Sequence, residues 1–167
     1  MNSTFFIRLL RLTILLILQI LVFNNIHLMG YATPLLIGYM LLCFERGSSR
    51  IGLLLWGFVI GIVFDVFSNT AGMASASCTL LAMMQPKLMQ MFLPRDADED
   101  FKPSLSSMGF WKYLLYAFLG MLILHATFYS LDAFTINDWQ LTLIAIGSSA
   151  ALATLLCIAT ELFVRFK

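Results

Sequence analysis

Apolar residues run almost unbroken through six stretches of this chain, near 9–28, 31–45, 51–68, 72–92, 111–131 and 140–164. A hydrocarbon core about 30 Å thick takes roughly 20 helical residues to cross, and all but the second stretch approach or exceed that length. Of the 167 residues 60% are hydrophobic and 11% charged. A water-soluble domain carries charge on about a quarter of its residues, so lipid is expected to cover most of this surface. The length suits one membrane domain over 1–167. The formal net charge of +1 gives no footprint for a nucleic acid.

The basic residues set the topology. Arg8 and Arg11 precede the first stretch, and Arg46 and Arg50 lie between the second and third. Lys87, Arg95, Lys102 and Lys112 surround the loop after the fourth, and Arg165 and Lys167 end the chain. The connections 24–30, 65–71 and 132–139 contain no Lys or Arg. Positive charge in alternate loops makes those loops cytoplasmic. The expected fold is therefore all-α: an integral membrane bundle of six transmembrane helices, with both termini in the cytoplasm. The second stretch is short between Gly30 and Glu45. It is read either as a short span in thinned lipid or as a segment packed inside the bundle. Pro34 near its start suits a first helical turn, where no N–H is needed.

The run from Leu12 to Phe23 follows Arg8 and Arg11 as in a signal peptide. Asn24, Asn25, Ile26 and His27 come next, with no small-x-small cleavage site, so it is read as a retained first span. Trp111 and Trp139 fall at span ends, where amphipathic rings favour the interface. The connection 93–110 carries Asp96, Asp98, Glu99 and Asp100 between two prolines and reads as a solvated cytoplasmic loop. Cys43, Cys78 and Cys157 sit in apolar stretches without C-x-x-C spacing and read as small buried hydrophobes.

The third stretch carries the strongest local pattern. Gly57, Gly61 and Asp65 recur every four residues and share one helix face. Two glycines at that spacing let another helix backbone approach closely. A carboxylate at membrane depth is costly and rarely faces lipid. Asp65 should bond to a neighbouring helix, cap a helix start or reach interfacial water. Spacing alone leaves a buried organising or binding site and an interfacial carboxylate both open. Gly72, followed by Ala74, Ser75, Ala76 and Ser77, opens the fourth stretch, and Gly147 to Ala153 is a second small-residue run. Gln19 and His125 are the other intramembrane polar groups, and each reads as an interhelix contact or as part of a proton relay. Pro86 is expected to kink the fourth span, with Lys87 snorkelling to the inner surface.

In these residues the third stretch resembles the rod shape-determining protein MreD family. That family's pattern runs roughly Gly-Phe-x-x-Gly-Leu-x-x-Asp, then a short serine-containing turn and a glycine opening the next span. It stands here as Gly57-Phe58, Gly61-Ile62, Asp65, Ser68 and Gly72. Gln19 in the first span, and Gly30 to Pro34 before the second, resemble the family's upstream features. Ile62 replaces the usual leucine, and Leu35 stands where an acidic residue often follows the proline. The resemblance implies a bacterial inner-membrane component of the cell-elongation machinery. Its partners would be an MreC-like protein, an MreB-like actin homologue, a RodA-like glycosyltransferase and a class B penicillin-binding protein. It also implies a fold similar to the substrate-binding membrane subunits of energy-coupling-factor transporters.

The expected function is a non-catalytic scaffold for lateral peptidoglycan synthesis, meeting a partner span through the Gly57–Gly61–Asp65 face, with no cofactor or metal. The chain has no H-E-x-x-H, G-x-S-x-G, phosphate loop or dinucleotide fingerprint. The alternative is a small-molecule-binding transport subunit, which predicts an outer pocket near Asp65 and the loops 24–30 and 132–139. A third reading, an intramembrane enzyme, would have to pair Asp65 with His125.

Overall fold

The structure, a computed structural model, describes Gln19, residues 35–70, 72–93, 98, 100–132 and 139–165. The elements are α1 (Ile37–Leu42), α2 (Arg50–Ser68), α3 (Met73–Phe92), α4 (Leu105–Met108), α5 (Phe110–Asp132) and α6 (Trp139–Arg165). The first expected span, 9–28, lies outside the described residues apart from Gln19, and so does Pro34.

Among the described residues, three helices are long and apolar enough to cross a membrane: α2, α5 and the Trp139–Leu162 portion of α6. At a rise of about 1.5 Å per residue they reach roughly 28, 34 and 36 Å. Their outward faces are apolar. Ile51, Leu55, Val59, Ile62 and Val66 form one exposed stripe along α2, and Leu143, Ile144 and Leu155 are exposed on α6. In lipid such a stripe is ordinary surface, whereas in water it would be a large sticky patch. Trp111 and Trp139 stand exposed at the starts of α5 and α6.

Helix α3 is also 20 residues long but less apolar, and its place in the bundle explains why. It packs against α2 on one side and α5 on another, with α1 also resting on it. Ser75, Ser77, Cys78, Leu81, Ala82 and Gln85 are all buried. The Ser77 and Thr79 hydroxyls donate to the carbonyls of Met73 (2.7 Å) and Ser75 (2.6 Å). A helix packed on several sides by other helices does not need lipid-compatible side chains all round. It needs small ones that pack and polar ones that are satisfied.

The expected second span, 31–45, is helical only over Ile37–Leu42 among its described residues. Six residues rise about 9 Å, far short of a crossing. Leu35, Leu36, Ile37, Leu41 and Leu42 are almost fully buried, so this segment belongs to the interior of the bundle.

The connection 93–110 holds local structure in its described part, 100–110. It contains α4, whose Ser104 and Ser107 form a reciprocal capping box, and Met108 is buried. The Arg46 amide donates to the Phe101 carbonyl at 3.0 Å, and Lys102 Nζ pairs with Glu45 Oε1 at 3.0 Å. These contacts tie the connection to the turn between α1 and α2. Of its acidic residues, Asp98 and Asp100 are described, and Asp96 and Glu99 lie outside the described residues.

Candidate functional site

The α2–α3 joint grows from the end of α2. Asn69 adopts a left-handed conformation (φ 55°), and the Thr70 amide reaches back to the Asp65 carbonyl at 3.1 Å. This is the six-to-one bond of a Schellman ending. Gly72 then takes φ 82°, which favours glycine, and α3 begins at Met73. The Asp65 side chain spans the turn. Its Oδ1 accepts from Thr70 Oγ1 at 2.6 Å and from the Ala74 amide at 2.9 Å, while Oδ2 accepts from the Ser75 amide at 2.9 Å. The carboxylate therefore caps the start of α3, where orphan N–H groups and the positive end of the helix dipole favour an anion.

The glycines hold the two backbones close enough for that bond set. A Cβ placed on Gly61 would collide with the Ser75 backbone, lying 2.6 Å from its nitrogen and 2.7 Å from the Ala74 carbonyl oxygen. A Cβ on Gly57 would lie 2.8 Å from the Cys78 carbonyl oxygen. The Gly57–Gly61–Asp65 face is thus filled by the chain's own next helix. This corrects the expectation that the face meets a partner span, because no second helix backbone fits where α3 already lies. Ser68 sits at the same joint, but its buried hydroxyl has no hydrogen-bond partner among the described residues.

Gln19 and His125 meet elsewhere, at the start of α1. Gln19 Oε1 accepts from the Leu36 amide at 2.7 Å, and His125 Nε2 accepts from the Leu35 amide at 3.1 Å. His125 Nδ1 lies 2.8 Å from the Met121 carbonyl, which can only accept. The ring is therefore the neutral Nδ1–H tautomer. Both nitrogens are engaged by backbone, which argues against a proton-relay role for His125. Among the described residues no hydrogen bond joins it to Asp65.

The other end of α1 is held by residues the sequence did not single out. Tyr116 Oη donates to the Leu42 carbonyl at 2.9 Å, and Gln85 Nε2 donates to the Phe44 carbonyl at 3.3 Å and to Tyr116 Oη at 3.2 Å. Non-helical backbone at membrane depth survives only when protein satisfies it. Gln19, His125, Tyr116 and Gln85 do so for this short helix. An amide beside Pro86 in an apolar run was the available signal for Gln85; the Tyr116 hydroxyl had none.

Tyr129 Oη and Ser149 Oγ lie 3.1 Å apart and join α5 to α6. By contrast, no described residue lies within 4 Å of where a Cβ on Gly147 would sit. Among the described residues no three His, Cys, Asp or Glu side chains cluster to hold a metal. Comparison with models of known families, with curated proteins and with solved structures finds no match to this chain.

Proposed function

We propose that the chain is a non-catalytic, six-span component of the bacterial inner membrane that supports cell shape and lateral peptidoglycan synthesis by binding partner helices. Both termini would face the cytoplasm, as the alternation of basic loops requires. The observation that carries this reading is the convergence of Gly57, Gly61, Asp65 and Gly72, four residues of the MreD resemblance, in one architectural joint. Both oxygens of Asp65 accept hydrogen bonds at the head of α3, which is the work of a structural capping group. With that face filled, partner contact falls to the outward faces of α2 and α6. There the MreC-like protein, the RodA-like glycosyltransferase and the class B penicillin-binding protein would be met, while an MreB-like filament would be met from the cytoplasm.

The test is depletion of the protein in its host, scoring cell shape and lateral wall incorporation. Rounding with lost elongation is the expected result, and Asp65→Ala at normal protein level should reproduce it. Unchanged shape, together with a vitamin-like ligand on the purified protein, would instead point to a transport subunit.

A further inference from the structure

A cavity of about 310 Å³ lies between α2 and α3, at the opposite end of α2 from Asp65. Two cations from different helices line it: Arg50, the first residue of α2, and Lys87, near the end of α3. Gln90 adds a neutral polar group one turn after Lys87. Among the described residues no carboxylate lines the cavity and neither cation has an ion-pair partner. Arg50 and Lys87 are both exposed at this open cleft; like charges lining one cleft repel each other, and an anion between them removes that cost.

The rest of the wall decides which anion. Leu54, Met83 and Pro86 are apolar, and the neighbouring flank of α2 exposes Ile51 and Leu55 to the surroundings. A freely soluble phosphate has no use for that surface, whereas an acyl chain does. Pro86, which lies within α3 and has no N–H of its own, adds a further apolar surface beside the two charges. The volume sits at the small end of the range for ligand sites, suited to a headgroup.

We propose that this cavity binds the phosphate headgroup of an anionic phospholipid. Arg50 and Lys87 neutralise the phosphate, and the acyl chains run along the Ile51–Leu55 flank. The inference rests on the membrane reading alone and is independent of any role in cell elongation.

The full chain, purified in detergent, is to be titrated with phosphatidylglycerol and with phosphatidylcholine, and bound lipid read by native mass spectrometry. Phosphatidylglycerol should bind at least tenfold more tightly. Arg50→Gln and Lys87→Gln should each weaken it roughly fivefold, the worth of one basic residue at an anionic membrane surface. Lys87→Arg should retain binding, and Lys112→Gln, an exposed cation outside the cavity, should leave it unchanged. Equal affinity for the two lipids, or full retention in the double variant, overturns the proposal. Displacement of phosphatidylglycerol by millimolar inorganic phosphate would also overturn it, making the cavity a site for a soluble anion. Recovery of the wild-type chain outside the membrane fraction would instead strike at the membrane reading itself.

Discussion

The joint between α2 and α3 is made from neighbours, whereas the setting of α1 is assembled from across the chain. Asp65 caps amides 9 and 10 residues ahead of it. The ends of α1 are held over separations of 17, 74 and 90 residues by Gln19, Tyr116 and His125. Both joints solve one physical problem, that of backbone groups left without helical partners at helix ends. The first solution is local and therefore recurs as a spaced pattern of glycines and a carboxylate. The second depends on which helices become neighbours, and isolated polar residues in apolar runs are its only trace.

That contrast can be broken most forcefully at Gly61. A methyl group there meets the Ser75 backbone rather than a pliable side chain. The helices would have to part, and the Asp65 bonds would lengthen with them. Gly61→Ala should cost about 3 kcal/mol or more, the upper end for overpacking. Gly147→Ala, where no described residue lies within 4 Å of the added Cβ, should cost nothing. Thermal melting of the two variants in the same detergent checks this. Equal midpoints would mean that α2 and α3 are not in backbone contact.

His125 tests the distant joint. His125→Leu removes the acceptor of the Leu35 amide and leaves that donor buried, at a cost of about 1–3 kcal/mol. Denaturation of the purified protein measures the loss. Wild-type stability would show that the α1 start finds another acceptor, and the long-range account would then fail at that end.

Tyr116→Phe is the gentlest of the three. It removes one hydroxyl from a site where Gln85 still reaches the Phe44 carbonyl, so about 1 kcal/mol is expected. A double-mutant cycle with Gln85→Leu should show non-additivity, since the two side chains bond each other. Strict additivity would separate them.

The same contrast explains how much was legible beforehand. The capping of a helix start by Asp65 was one of three roles its position allowed, and the close approach at Gly57 and Gly61 followed from their spacing. What spacing did not give was the owner of the opposing backbone, and the structure assigns it to α3. The shortness of the second apolar stretch was visible, because length needs no tertiary context. Its two polar clamps were not, because a histidine or a tyrosine in an apolar run looks the same whether it binds backbone, a partner or nothing. The order around Met108 was hidden for a related reason. The Arg46–Phe101 and Glu45–Lys102 contacts join loops that are adjacent only after the helices have packed.

Amide hydrogen exchange over the first turns of α3, compared between the wild-type chain and Asp65→Ala in the same lipid environment, tests most directly the claim that the Gly57–Gly61–Asp65–Gly72 pattern builds a joint. Losing charge-assisted caps should speed exchange at Ala74 and Ser75 roughly 10- to 100-fold, with protection in α5 and α6 unchanged. Unaltered protection at Ala74 and Ser75 would contradict the account, because Asp65 would then be free for a role other than holding α3 in place.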